Sequence, residues 1–327
     1  MIVIQFICRA ILLGVPLLYG SVGEIVTEKS GHLNLGIPGI MYVGGVSGVI
    51  GAFFYEKSLN GAQINPFLGI IIPFFASLVG SCLMSLIYSF LTITLRANQN
   101  VTGLVLTTFG VGVGNFFGGS LASLFGEGGS LALTATSNLY RSSLPFASST
   151  GYFGEIFLSY GFLAYLAIVL ALLTSFFFKR TKKGLSLRAV GENPATADAA
   201  GINVIRYKYV ATCVGGMIAG LGGLYFIMDY TNGVWSNGGF GDRGWLAVAL
   251  VIFTVWRPNF GIFGSILFGG LYIVYLFIPD LGRSSQELFK MLPYIVTIIV
   301  LVFISMKKRR ENQPPQSLGL NYFREDR

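Results

Sequence analysis

The stretch Phe162-Leu-Ala-Tyr-Leu-Ala-Ile-Val-Leu-Ala-Leu-Leu-Thr-Ser-Phe-Phe-Phe178 carries no charge, and Lys179-Arg180-Thr181-Lys182-Lys183 follows it at once. A helix needs about 20 mainly apolar residues to cross the hydrocarbon core of a bilayer. Extended back to Gly154, this run is long enough. The cations that close it are the kind that stay on the cytoplasmic side. The segment 154–178 is therefore read as a span that ends in the cytoplasm.

Working outward, comparable segments lie at 2–21, 36–55, 66–95, 101–122, 206–229, 244–256, 260–278 and 288–306. That predicts about nine spans, within a range of 8–10. Helices are the expected form, because a bilayer offers no water to unpaired backbone groups. The runs are too long and continuous for the alternation of a membrane barrel. Composition agrees: 53% of the 327 residues are hydrophobic and 11% charged, where a soluble domain carries about a quarter charged. Mean hydropathy is +0.69. The expected fold is an all-α polytopic bundle, a single domain over 1–310 with a cytoplasmic loop at 179–205. A polar tail, 311–327 with Pro314-Pro315, is expected to be cytoplasmic and loosely ordered.

The net charge of +8 does not point to nucleic acid, because the cations sit in loops beside apolar runs, where topology accounts for them. Lys307-Lys308-Arg309-Arg310 marks a second cytoplasmic point. Two such points are separated by an even number of crossings, so 244–278 divides into two spans at Arg257-Pro258-Asn259. Arg96 then falls inside, while 56–65, 123–153, 230–243, 279–287 and the N-terminus fall outside. The first apolar stretch is expected to remain as a span, since no basic region precedes it.

Little in the chain suits catalysis. His32 is the one histidine, and Cys8, Cys82 and Cys213 lack metal-ligand spacing. No G-x-x-x-x-G-K-[ST] loop occurs. No bound cofactor or metal is expected. Carboxylates appear scarce within the spans, with Asp229 at the outer end of one, which weighs against ion-coupled transport. What remains polar at depth is neutral: Asn34, Asn98, Gln99, Asn100 and Asn115, with Phe109 and Phe116 nearby as stacking surfaces. These suit a neutral solute that forms hydrogen bonds. Trp235, in the outer loop from Asp229 to Asn237, belongs either to an entrance or to an interfacial aromatic belt. Stripes of glycine spaced by four (Gly44 and Gly48; Gly110, Gly114 and Gly118; Gly216 and Gly220) are read as close helix packing.

One cytoplasmic segment is punctuated at both ends. In Gly191-Glu192-Asn193-Pro194-Ala195-Thr196-Ala197-Asp198-Ala199-Ala200-Gly201, Asn193 fits an N-cap, Pro194 the first helical position and Gly201 a left-handed stop. So short a helix needs packing to persist, and a docking element for a cytoplasmic subunit is the sharper reading. Glu192 and Asn193 would make polar contacts there, and Ala197 and Ala200 would fit closely.

Three blocks together resemble the permeases of sugar- and nucleoside-type ABC importers, the ribose-permease-like group. They are Thr27-Glu28-Lys29-Ser30-Gly31-His32-Leu33-Asn34-Leu35-Gly36-Ile37-Pro38-Gly39, Lys183 to Ile202, and Gly244-Trp245-Leu246-Ala247 through Trp256-Arg257-Pro258. The last is closest to the purine-nucleoside branch. Where that family often has an acid, this chain has Pro38, so no role of the acid carries over. The resemblance implies a permease of the bacterial inner membrane, working with a second permease subunit as homo- or heterodimer. It also implies a partner ATPase, which uses the ATP and Mg, and an extracellular or periplasmic lipoprotein that delivers solute. Nucleosides come first as cargo, with riboflavin-like compounds or simple sugars behind. Alternating access would run between helices 36–122 and 206–278. The other readings are a secondary transporter or channel acting alone and, third, a membrane enzyme.

Overall fold

The computed structural model describes residues 2–59, 63–125, 131–143, 151–279, 281–307 and 313–323. Among them, eight helical stretches are long and apolar enough to cross a membrane. They comprise α1 (Ile2–Glu28), α2 (Ile37–Ser58), α3 (Pro66–Ser89), α4 (Gln99–Phe125), α7 (Phe162–Arg180), α10 (Val204–Tyr225), α12 (Pro258–Ile273) and the pair α13 (Arg283–Lys290) and α14 (Leu292–Lys307). The chain is a polytopic helical membrane protein. Short elements fill the connections: β1 (Leu131–Ala132), α5 (Thr134–Tyr140), α6 (Gly151–Phe157), α8 (Lys182–Glu192), α9 (Pro194–Ala199), β2 (Val234–Trp235) and α11 (Arg243–Phe253). Single π-turns, Phe90–Thr94 and Phe226–Tyr230, extend α3 and α10.

α2 and α10 are the innermost helices, and glycine is what brings them together. A Cβ on Gly44 would lie 2.4 Å from the Cα of Gly220, and one on Gly223 would lie 1.9 Å from the carbonyl of Met41. The four-residue glycine spacing thus performs the close packing expected of it. Asparagines start four helices: the side chains of Asn65, Asn98, Asn193 and Asn203 accept from backbone N–H groups in the first turns of α3, α4, α9 and α10.

The ends of the helices gather on two opposite faces. One carries the end of α1, Arg96, α8, α9, Arg257 and the tail 313–323, and is called the tail face here. Its proximity relations are direct: the charges of Arg188, Glu192 and Arg257 surround Lys29, and Ser317 Oγ donates to the Gly191 carbonyl at 2.6 Å. The other, the ribbon face, carries the antiparallel pair β1–β2, in which Leu131 faces Trp235. There Thr136 Oγ1 donates to Glu56 Oε1 at 2.6 Å, and Arg9 stacks on Phe277. The start of α1 thus lies opposite the 179–205 connection.

Several boundaries differ from the sequence reading. The ninth segment, expected to span over 244–256, is the 11-residue α11, about 16 Å long at 1.5 Å per residue and only half the bilayer core. Gly244 packs on Pro38 and Ala247 on Gly20, while Trp256 beyond the helix bonds Glu28. α11 therefore covers the half nearer the tail face. The half of that crossing nearer the ribbon face is the non-helical segment 231–242, where Asn232, Gly233, Gly238 and Gly241 all have positive φ. The span 154–178 is broken at 158–161 into α6 and α7. The 279–287 connection, expected as a loop, contains most of α13.

α1 runs seven residues beyond 21 and buries Glu24 and Glu28, 1% and 3% exposed. With Asp229, 6% exposed, three carboxylates are buried among the described residues. Acids inside the bundle are therefore less scarce than the sequence suggests. The tail, expected to be loose, is docked over 313–323: Ser317 is 5% exposed, Tyr322 Oη donates to Asp198 Oδ2 at 2.8 Å, and Phe323 stacks under Arg96. Three residues of the basic cluster, Lys308, Arg309 and Arg310, lie outside the described residues.

Candidate functional site

Asn115 lies sixteen residues beyond the start of α4, about 24 Å along its axis, and so near mid-depth. Tyr42 of α2 reaches it, and its hydroxyl donates to Asn115 Oδ1. The segment 231–242 descends onto this pair. The Gly238 N–H points at both acceptors, 3.0 Å from Tyr42 Oη and 3.2 Å from Asn115 Oδ1. Trp235 Nε1 donates to Asn237 Oδ1 at 3.1 Å. The rings of Trp235 and Phe240 meet Tyr42 edge-on, with centroids 5.3 and 6.2 Å away.

The glycine stripe of α4 shapes this cluster. A Cβ on Gly114 would lie 2.2 Å from the Tyr42 ring, and one on Gly118 would lie 2.2 Å from the Trp235 indole. Bare backbone lets both rings lie across the helix. What remains open between Tyr42, Phe226, Thr231, Trp235 and Phe240 is a cavity of about 20 Å³, room for roughly one water. The site is closed. Non-helical backbone at membrane depth is tolerated where it lines a path or is covered by protein, and a half-helix ending at such a point is a recurring way to build a transport site.

The structure thus brings together two of the expected path residues, Asn115 and Trp235, and adds Tyr42, Asn237 and Phe240. The other five lie elsewhere. Asn34 is fully buried, accepts from the Gly36 N–H at 3.0 Å and leaves its Nδ2 unpartnered. Asn98 caps α4. Gln99 is pinned on three sides, accepting from Leu33 N–H at 2.8 Å and donating to Asn321 Oδ1 and the Leu320 carbonyl. Asn100 is exposed at the same end. Phe109, 52% exposed, faces outward on α4. Tyr42 is a site residue that the sequence does not single out. Its one signal is a tyrosine in a glycine-rich span, four residues after Pro38.

The docking segment is punctuated as expected. Asn193 Oδ1 accepts from the Thr196 N–H at 3.0 Å, Pro194 begins α9, and Gly201 has a φ of +80°. Two details differ. α8, not foreseen, precedes α9, and the chain bends sharply at Asn193 between them. Ala197 is 4% exposed and packs inward with Val190, Val204 and Tyr322, so its small side chain serves a contact within the chain. Gly191 is likewise internal, since a Cβ there would lie 2.3 Å from the Lys29 carbonyl. Glu192, Asn193, Ala200 and Gly201 are exposed and Pro194 half-buried.

His32 sits behind this face, fully buried. Its Nδ1 is 2.7 Å from Thr212 Oγ1 and its Nε2 2.8 Å from Thr92 Oγ1, so it ties α10 to the π-turn after α3. Burial, and secondarily the charge of Lys208, push its pKa down to about 3. A neutral ring has one N–H, so one of the two threonine hydroxyls donates to it and releases its backbone carbonyl. Nearby, burial and then the charge of Arg188 lower the Lys29 pKa to about 8.

Comparison with known proteins settles the class. The family described as "Branched-chain amino acid transport system / permease component" matches residues 6–301. The nucleoside ABC transporter permease protein NupC of Lactococcus lactis is 30% identical over 97% of this chain and 96% of its own length. A putative glucose ABC transporter permease protein of Haloferax volcanii is 30% identical, covering 94% of each chain. The guanosine ABC transporter permease protein NupQ of Bacillus subtilis is 30% identical over 88% of this chain and 87% of its own. With a match across nearly the whole bundle, the chain belongs to this ABC permease family and is the membrane-spanning transport subunit of an ABC importer.

Proposed function

We propose that this permease carries nucleosides into the cell, through the point where 231–242 closes on Tyr42 and Asn115. That closure carries the reading. Aromatic faces from Tyr42, Trp235 and Phe240 suit a flat base, and the Asn115 and Asn237 amides suit its hydrogen-bonding edge and the ribose hydroxyls. Two of the three relatives above are named for nucleosides or guanosine, and the third for glucose, a smaller hydroxylated solute. Segment 231–242 and α11 move together as the gate. Solute passes only when a partner shifts the balance between closed and open forms, which requires unequal contacts with the two.

The tail face is cytoplasmic in this reading, with Lys179, Arg180, Lys182, Lys183 and Arg188 as its positive rim. A partner ATPase, which uses ATP and Mg, docks on the exposed edge of α9 at Glu192, Asn193, Pro194, Ala200 and Gly201. Rocking α8–α9 as a body transmits its motion to α7 and α10. A second permease subunit and a solute-binding lipoprotein complete the complex in the inner membrane. Uptake of labelled guanosine and uridine by the reconstituted complex tests the substrate. Competition by glucose, ribose or riboflavin with nucleosides inert would reassign it. Orientation is tested by single cysteines: one at Lys183 reacts only from the cytoplasm and one at Asn237 only from outside.

A further inference from the structure

The tail does more than cover the foot of the bundle: it roofs a cavity of about 160 Å³ between the π-turn after α3 and the start of α10. Lys208, His32, Arg96, Asn321 and Tyr322 are among the residues that line it. The volume equals roughly five waters in the liquid. Among the described residues, no carboxylate lines it.

Lys208 is the feature that needs an explanation. It is 3% exposed, and among the described residues its ammonium has no hydrogen-bond or ion-pair partner, although it lines the cavity. A buried unpaired charge is costly and usually marks a pairing that the protein alone does not supply. The other polar groups of the wall are already engaged. Thr94 bonds Tyr209, Gln99 bonds the tail, and Asn321 Nδ2 donates to the Arg96 carbonyl at 2.7 Å. That leaves Lys208 and Arg96 as the two cationic residues that line one space. Arg96 is held for this position in the left-handed region, φ 59°, by the Asn321 bond and by Phe323 stacked 4.5 Å away. Backbone strain of this kind concentrates at functional positions. The field of Lys208 also helps to keep His32 uncharged, so no second internal cation competes for the same anion.

We propose that this cavity binds a phosphate group, with Lys208 as its buried counter-charge and Arg96 as its guanidinium fork. Several donors around one small space match a multi-oxygen anion, and a guanidinium fork matches phosphate oxygens in particular. Two sources share that chemistry. The apolar rim at Ile93 and Ile205, the latter 58% exposed, borders the bilayer and would admit an anionic lipid headgroup. The tail-face opening would admit free phosphate.

The test uses the full-length protein in neutral detergent and reads thermal midpoints along two titrations. One compares potassium phosphate with potassium chloride at matched ionic strength. The other compares micelles doped with phosphatidylglycerol or with neutral monoolein. Stabilisation confined to the first titration assigns free phosphate, and stabilisation confined to the second assigns the headgroup. Lys208→Met should weaken the effective titration by about tenfold or more. Arg96→Asn, which tolerates the left-handed backbone, should weaken it less and keeps the test usable if the first variant does not fold. No stabilisation of the native chain in either titration, or an equal response in both variants, overturns the proposal.

Discussion

Acidification should destabilise this protein through His32 before its surface residues matter. The ring is fully buried between Thr92 and Thr212, and its pKa is lowered from 6.5 to about 3. Between those values the unfolded chain binds a proton that the folded chain refuses. The unfolded state therefore gains as pH falls, and stability is greatest above pH 6.5. One pH unit below that value is worth ~1.4 kcal/mol, so the loss reaches about 2 kcal/mol at pH 5. Lys29 does not enter this window. With its pKa lowered to about 8, it loses stability as pH falls from the ordinary lysine value to about 8 and stays constant below. The buried carboxylates Glu24, Glu28 and Asp229 are common to the native chain and a His32 variant, so a difference between the two isolates His32. The assay is the thermal midpoint of native protein and His32→Gln in detergent from pH 7.5 to 5. Glutamine retains a donor and an acceptor but takes no proton in this range. The native curve should fall below that of the variant by several degrees at pH 5 relative to their separation at pH 7.5. Parallel curves would refute the reasoning.

Gly114→Ala should insert normally but lose most uptake, because its methyl would occupy the space of the Tyr42 ring; pairing it with Tyr42→Leu should restore part of the thermal stability. On the docking face, Glu192→Lys should leave the melting point unchanged while ATPase co-purification falls. Asn193→Ala should cost about 1 kcal/mol through its cap, whereas Ala197→Trp should destabilise the chain itself, since that position is internal, by ~1–3 kcal/mol or more from overpacking. Tyr322→Phe removes the bond to Asp198 and should cost about 1 kcal/mol, read as a lower midpoint and faster proteolysis of the tail.

Local punctuation was legible in the sequence, and long-range meeting was not. Asn193, Pro194 and Gly201 announce α9 because capping, fixed φ and left-handed backbone are properties of single residues and their neighbours. The apolar runs announce the bundle for the same reason. Glu24 and Glu28 interrupt the apolar run of α1, and a carboxylate is costly in a membrane, so nothing local says that the helix continues through them. What keeps Glu28 inside is Trp256 Nε1, 228 residues away. Asn115 stands out as an amide at depth, but nothing near it in sequence says that Tyr42 and Gly238 converge there. Asn98 and Gln99 looked like the same kind of residue, yet one is a cap and the other holds the tail. Ser317 and Tyr322 read as polar tail residues until their partners, Gly191 and Asp198, are known.

The half-crossing 231–242 has a consequence for how the backbone exchanges with solvent. Beyond its first turn a continuous helix protects its amides by its own ladder, as the 22-residue α10 beside it does. Along 231–242 the amides rely on turns and on borrowed acceptors, such as Gly239 on Ser236, Gly241 on Gly238, and Gly238 on Tyr42 and Asn115. Opening this stretch therefore does not require any helix to unwind. Its amides should take up deuterium by local opening, at a free energy well below that of global unfolding, in the middle of a membrane domain whose flanking helices remain protected. Such a patch of fast exchange at bilayer depth would report how often the gate opens in the absence of any partner.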